Sequence, residues 1–269
     1  MGPGSTPRCP VIQLLPRLFQ SAPALDHESR EWIDGVFAWA LQQPDWQGFL
    51  SRAHLVQPVR EHFPGEADSQ HGMAQLVFDS VREHAGLAGS PFRLAQPDDL
   101  LDEPVPLGPI PGSDHAAAGP AAGPASIPIA YPPPLAGNPQ ALIAHFAREI
   151  GLRIAPTARE PAPAHAGNEP HIAELLGVLM GFGIMLANTA FSVRVNQCGA
   201  CKGPAAERDA ALSRDDLAYA LARFCQLREV PPARARSHLN APLRPVFRRC
   251  LRDVARDPAV LPRLQGSAG

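Results

Sequence analysis

The chain has 269 residues, of which 45% are hydrophobic and 19% charged, and its formal net charge is −2. This length allows one large domain or two small ones, with enough apolar residues to bury a core. A net charge so near zero argues against a protein whose whole surface is basic and binds polyanions without selectivity. Five unevenly spaced cysteines, with no secretory signal pattern in residues 1–20, predict a cytoplasmic protein with reduced or metal-bound thiols.

Helical periodicity predicts an N-terminal helical layer over residues 11–95. Its clearest helix starts after Asp26, which can cap it, and ends before Pro44. Another helix is predicted from Ser69 to Ala85, with Gly86 directly after its C-terminus. Two shorter helical pieces are predicted over 11–19 and 46–55.

Proline is concentrated in the middle of the chain. Ten of the 32 prolines lie between Pro104 and Pro134, mixed with glycine and alanine. Such a composition buries too little apolar surface to offset the entropy of ordering the chain. We therefore predict a flexible or polyproline-like linker over residues 96–138. An alternative is a docking segment around Tyr131, because the sequence AYPPP suits aromatic-lined grooves.

A C-terminal helical bundle is predicted over residues 139–262. Its first helix runs from Pro139 to Ile150, with Gly151 as its stop. Ser213 and Asp216 form a capping box for a helix that ends near residue 229. A short helix over 205–211 and a last amphipathic helix over 242–256 complete the predicted bundle.

The stretch from His171 to Cys201 is the most apolar in the sequence. From Leu175 to Ala187 no polar side chain occurs, a run of 13 residues. A bilayer span needs about 20 apolar residues, whereas a helix that is apolar on every side must be surrounded by protein or lipid. We predict an all-α fold, a multi-helix bundle around a central apolar helix over residues 169–196.

The pair Cys198 and Cys201 is the leading candidate for chemistry. Two thiols separated by two residues can chelate one metal ion or close a small disulfide loop. A structural zinc site needs two further ligands, which we assign to Cys225 and His238. The alternatives are a thiol–disulfide redox enzyme that uses Cys198 and Cys201, and a tight interhelical turn without chemistry.

Two histidine–carboxylate pairs occur at helical spacing. His145 and Glu149 are four residues apart, and we predict a surface ion pair. Glu174 enters the apolar stretch, where an unpaired carboxylate is expensive. We therefore expect Glu174 to pair with His171 or with an arginine, or to lie exposed in the first helical turn.

Arginines are concentrated near the C-terminus. Nine arginines and three carboxylates between Arg228 and Arg263 give this region a net charge of +6. A basic helix can neutralise nucleic-acid phosphates or bind an acidic partner. The alternative is a solvated polar face without a partner.

No phosphate loop, dinucleotide fingerprint, nucleophile elbow or His-Glu-x-x-His motif occurs in the sequence. Because no complete catalytic set can be assembled, the sequence favours a non-enzymatic helical binding or scaffold protein with zinc as its cofactor. We expect the partner to be another protein, with nucleic acid as the alternative, and we do not expect a membrane.

Overall fold

The computed structural model describes residues 22–95, 126–194, 205–208, 210–260 and 264, with the backbone alone for 191–194 and 205–208. It is mostly helical around a central buried apolar helix, which confirms the predicted fold class. The helices are α1 (His27–Leu41), α2 (Gln47–Leu50), α3 (Gln70–His84), α4 (Pro139–Ile154), α5 (Glu169–Gly177), α6 (Gly183–Thr189), α7 (Arg214–Leu227), α8 (Pro232–His238) and α9 (Leu243–Arg256). The strands are β1 (Phe92–Leu94), β2 (Ile127–Ile129), β3 (Phe191–Arg194) and β4 (Ala205–Arg208).

Local capping signals set the starts of two helices that the sequence predicts. The Asp26 carboxylate accepts a hydrogen bond from the Ser29 amide at 2.8 Å, at the N-terminus of α1. At α7, the Ser213 hydroxyl accepts from the Asp216 amide and the Asp216 carboxylate accepts from the Ser213 amide. Both caps satisfy amides that have no partner inside the helix.

The central helix is interrupted, which corrects the continuous helix predicted over 169–196. A wide turn over Val178–Phe182 separates α5 from α6, and β3 begins at Phe191. Inside this turn Gly181 has a φ of 105°, in the left-handed region that favours glycine. A Cβ atom there would lie 2.0 Å from the carbonyl oxygen of His54. The turn therefore lets an extended segment of the N-terminal layer lie directly against the central helix.

The central helix is surrounded by other parts of the chain. By length and composition, Glu169–Thr189 could cross a membrane, but 89% of its most apolar window is buried inside the protein. Helices α1, α4 and α7 pack against it. The Gly181 carbonyl accepts a hydrogen bond from the Val56 amide at 3.1 Å. The N-terminal layer thus supplies the donor for a backbone carbonyl of the turn.

Helix α4 continues through Gly151, which is not its stop as predicted. The helix ends at Ile154, and Gly151 lies where α4 crosses α5. A Cβ atom at Gly151 would lie 2.4 Å from the carbonyl oxygen of Ala173. The glycine therefore serves the close approach of two helices and not the end of one.

Two short strand pairs were not predicted. Strands β1 and β2 pair in parallel, with Phe92 opposite Ile127 and Leu94 opposite Ile129. Strands β3 and β4 pair antiparallel, with Phe191 opposite Arg208. Strand β4 lies within the range 205–211, so the short helix predicted there is wrong. Each strand has only three or four residues, and its partner lies more than ten positions away in the chain, so the local sequence does not show the pairing.

The end of the predicted linker is packed into the fold. Ile127, Ile129 and Tyr131 are buried, and the Tyr131 ring contacts Phe146 with ring centroids 6.1 Å apart. Because Tyr131 is buried, residues 130–134 do not present it to an external aromatic-lined groove. Residues 96–125 of the linker and the helix predicted over 11–19 lie outside the described residues.

One continuous apolar core joins the N-terminal layer to the C-terminal bundle. It extends from Leu25 to Leu264 and includes side chains of α1, α3, α4, α7 and α9. Helix α8 is a further element that the sequence does not predict, because two consecutive prolines such as Pro231 and Pro232 are typical of the end of a helix. Pro232 instead occupies the first helical position, where its missing N–H has no partner to lose.

Candidate functional site

Helix α9 separates its side chains into a buried apolar side and an exposed basic side. Its apolar side packs on α7 through buried residues, among them Val246, Phe247, Cys250 and Val254. Its exposed side carries four arginines at a spacing of four residues, so that consecutive ones lie about 6 Å apart along the helix. We call this set the arginine face; its members are Arg244, Arg248, Arg252 and Arg256.

The carboxylate of α9 itself is turned into the core and pairs with the C-terminal end of the arginine face. Asp253 is buried and accepts a hydrogen bond from the Ala24 amide at 2.7 Å, while Arg256 lies 3.6 Å from its other oxygen. On the neighbouring helix α7, Asp215 lies 4.0 Å from Arg249 and 3.3 Å from Arg214. These carboxylates thus interact with the N-terminal layer, with Arg249 beside the arginine face and with Arg256 at its C-terminal end.

A buried ionic network joins α1 to α7. Arg223 is fully buried, and its guanidinium donates to both oxygens of Asp34 at 2.8 Å. The Tyr219 hydroxyl donates to Asp34 at 2.9 Å, and Gln226 accepts from Arg223 at 2.7 Å. Burial works against the charged guanidinium, but the Asp34 carboxylate outweighs it and raises the pKa of Arg223. The network is therefore a buried charged pair with several supporting hydrogen bonds.

A cavity of about 340 Å³ opens beside this network. Asp34 lies in its wall, but the carboxylate already accepts three hydrogen bonds from Arg223 and Tyr219. A carboxylate accepts about four such bonds, so little capacity is left for a ligand. The pair of Asp34 and Arg223 therefore has a structural role, which is to hold α1 against α7. The cavity is lined by His27, Arg30, Glu31, Asp34, Gly35, Ala38, Asp257, Val260 and Leu264.

The Glu174 carboxylate is fully buried and is paired with an arginine, one of the outcomes expected from the sequence. Arg148 donates to it at 2.7 Å, and the amides of Ala211 and Leu212 donate at 3.0 and 2.8 Å. Glu174 thereby holds the segment that leads into α7 against the central helix. Three donors replace the water that burial removes from the carboxylate.

The ion pair predicted between His145 and Glu149 is not formed. Glu149 instead pairs with Arg153 at 2.6 Å, one turn further along α4. The Nε2 of His145 donates to the carbonyl oxygen of Ala130 at 2.8 Å, and burial lowers the pKa of this histidine. The ring therefore fastens the end of the β2 segment to α4 as a neutral donor.

The predicted zinc ligands are described only in part. Cys198 and Cys201 lie outside the described residues. Cys225 is buried in the apolar side of α7, where burial raises the pKa of its thiol to about 12, and His238 lies half-buried at the end of α8. Within the described ranges, no three His, Cys, Asp or Glu side chains are grouped so as to hold a metal ion. The ligand set stays a prediction.

Cys250 is also buried, and its thiol donates weakly to the carbonyl oxygen of Asp215 at 4.0 Å. Burial, followed by the neighbouring Asp253 and Asp215 carboxylates, raises the pKa of this thiol to about 12. Burial therefore favours the protonated thiol at both Cys225 and Cys250, which pack as small side chains of the core.

Sequence reasoning missed the network of Asp34, Tyr219 and Arg223. The two residues on α7 are four positions apart, and this polar pair on a mostly apolar helix was the available signal. Comparison of the chain with protein-family models, with curated proteins and with solved structures gave no match.

Proposed function

We propose that this chain is a non-enzymatic helical binding protein that docks an acidic protein partner on the arginine face of α9. The observation that carries this proposal is the alignment of Arg244, Arg248 and Arg252 along the exposed side of one helix, while Asp253 is turned into the core. A row of guanidinium groups attracts carboxylates and offers each of them two hydrogen-bond donors.

The charge distribution supports an acidic partner. The whole chain has a net charge of −2, whereas residues 228–263 have a net charge of +6. The positive charge is therefore local, and a partner with clustered carboxylates gains attraction here and meets repulsion elsewhere. Such complementarity raises association rates and selects the orientation of the partner.

Two features favour a protein over a nucleic acid. Phe247 is the aromatic residue of α9 and is fully buried, so α9 offers no ring on which a base could stack. The rest of the chain carries a net charge of −8, since −2 minus +6 is −8, and this charge would repel a long phosphate backbone beyond α9. A protein partner needs no ring for stacking.

The proposal is tested by fluorescence anisotropy with a labelled oligoglutamate peptide and a labelled DNA duplex of matched total charge. We expect the full-length protein to bind the peptide at about 50 mM salt and to lose affinity at about 300 mM. The triple variant Arg244→Gln, Arg248→Gln, Arg252→Gln should bind about tenfold more weakly, because each exposed ion pair contributes about 0.3–1 kcal/mol.

A matched control removes three exposed arginines elsewhere: Arg52→Gln, Arg60→Gln and Arg159→Gln. This control has the same net charge as the arginine-face variant and should retain the affinity of the unmodified protein. Equal losses in both variants would show a general charge effect and overturn the proposal. Tighter binding of the duplex than of the peptide at the same salt would replace the acidic protein with a nucleic acid.

The zinc clip at Cys198 and Cys201 is a separate proposal within the same binding role. A closed zinc site would fix the segment between β3 and β4 and would leave the arginine face unchanged. The redox alternative needs two accessible thiols that cycle between dithiol and disulfide. Metal content and the oxidation state of the thiols distinguish the zinc clip from the redox enzyme.

A further inference from the structure

Three histidine side chains meet where the N-terminal layer lies against the turn of the central helix. The ring centroids of His62 and His84 are 5.1 Å apart, those of His54 and His84 are 5.3 Å apart, and those of His54 and His62 are 5.9 Å apart. His54 is exposed, whereas His62 and His84 are half-buried. Protons can therefore reach a cluster whose members feel one another's charge.

Hydrogen bonds fix which ring nitrogens carry protons. The Nδ1 of His62 accepts from the Gln57 amide at 2.9 Å, so this nitrogen must be unprotonated. The Nε2 of His84 lies 2.7 Å from the carbonyl oxygen of His62, so it must carry the proton and donate. The folded arrangement thus favours the neutral His62 ring. In the charged ring, the proton on Nδ1 would face the N–H of Gln57.

The hydrogen bond to His62 is adjacent to the contact with the central helix. Gln57 donates to His62, and the preceding residue, Val56, donates to the Gly181 carbonyl at 3.1 Å. The carbonyl of His54 packs directly on Gly181. The consecutive amides of Val56 and Gln57 therefore link the histidine cluster to the turn. Loss of the Gln57–His62 hydrogen bond frees the backbone that donates to Gly181.

We propose that His54, His62 and His84 form a proton-sensitive latch, in which protonation of His62 releases the segment 54–63 from the turn at Gly181. Protonation breaks the Gln57–His62 hydrogen bond and places a positive charge beside His84 and His54. Arg234 of α8 also faces His62 and adds repulsion, whereas Glu61 is the one carboxylate that favours the charged ring among the groups acting on it.

The direction of the pH effect follows from the same surroundings. Desolvation, followed by the charges of His84 and His54, lowers the pKa of His62 below its ordinary value of 6.5. The folded segment thus binds fewer protons than the released one. The contribution of the neutral His62 ring to the stability of the folded segment is complete above pH 6.5, falls as the pH drops below that value, and is lost once the pH lies below the lowered pKa.

The latch is tested by hydrogen exchange of the Val56 and Gln57 amides at pH 7.5 and pH 5.5, corrected for intrinsic exchange rates. We expect the protection of both amides to be lower at pH 5.5 than at pH 7.5 in the unmodified protein, by at most about tenfold, because pH 5.5 lies one unit below the ordinary histidine pKa of 6.5. In His62→Asn, the amide oxygen can accept from Gln57 and cannot be protonated, so protection should be the same at both pH values.

His165→Asn is the matched control, because His165 is an exposed histidine in another loop, and it should keep the full response to pH. Equal protection at both pH values in the unmodified protein, or an unchanged response in His62→Asn, would overturn the latch. If His62→Asn does not fold, an NMR titration of the unmodified protein decides. The Val56 amide shift must then follow the His62 ring with one midpoint, and different midpoints refute the proposal.

Discussion

The carboxylate of Asp34 on α1 accepts two hydrogen bonds from the guanidinium of Arg223 on α7, a residue 189 positions later in the chain. Arg223 is completely buried, and the side chain of Asp34 is 11% exposed. The pair therefore fixes the N-terminal layer on the C-terminal bundle at one defined position, inside the shared core.

Asp34→Asn should destabilise the protein strongly, because it leaves the Arg223 charge buried without its counter-ion. We expect the free energy of unfolding in urea to fall by about 3–5 kcal/mol. Asp45→Asn is the control: its partner, Arg159, is about half exposed, and the expected loss is below about 1 kcal/mol. Similar losses in the two variants would contradict the structural role of the buried pair.

Glu174→Gln should loosen the segment that leads into α7. Glutamine has one acceptor oxygen, which cannot serve both Arg148 and the Leu212 amide, and it lacks the charge that pairs with Arg148, so we expect a cost of about 2–4 kcal/mol. Glu149→Gln, which breaks the less buried pair with Arg153, should cost about 1 kcal/mol or less. Denaturation measures both values, and faster exchange of the Leu212 amide should accompany the first variant alone.

Gly181→Ala adds a single methyl group and should nevertheless lower the stability of the protein strongly. The new Cβ atom would overlap the His54 carbonyl, and alanine is strained at a φ of 105°. We expect a loss of about 2–4 kcal/mol in the free energy of unfolding. Gly35→Ala adds the same methyl group within α1, where nothing lies within 4 Å, and should stabilise the protein by about 0.5–1 kcal/mol. A loss in Gly35→Ala equal to that in Gly181→Ala would refute this assignment.

One zinc ion per chain is expected in the purified protein if the clip at Cys198 and Cys201 forms. Elemental analysis should show that Cys198→Ser loses the metal, since two thiolates of the predicted site come from this pair. Cys225→Ser and His238→Asn should lower zinc affinity if these residues complete the site, while Cys250→Ser should have no effect on it. Metal-free protein with a reversible disulfide between Cys198 and Cys201 would support the redox enzyme instead.

Local signals were sufficient to predict much of the helical architecture. Helix α1 follows from Asp26 and the apolar spacing after it, and α7 follows from the capping box at Ser213. Helix α9 follows from its strong segregation of arginines and apolar residues. Each signal lies within the element that it specifies, so a single sequence reveals it.

The turn at Gly181 could not be predicted in the same way. The residues around Gly181 form an apolar run typical of an uninterrupted helix. The contact that requires glycine in the turn is with the backbone of His54, more than a hundred positions earlier. The partners of Asp34 and Glu174 are likewise distant in sequence. In each case, the deciding contact belongs to the tertiary structure, where packing overrides local propensity.

The parallel pairing of β1 with β2 has a consequence for the proline-rich stretch between them. Because Phe92 lies opposite Ile127, the residues that flank this stretch, Ala95 and Ser126, lie about 13 Å apart along the ladder. Both anchor points belong to the fold itself, and the entropy of closing a loop between them changes slowly with its length. Ala95 and Ser126 thus mark two attachment points, and a designed connector joined to them has to span at least about 13 Å, or four extended residues.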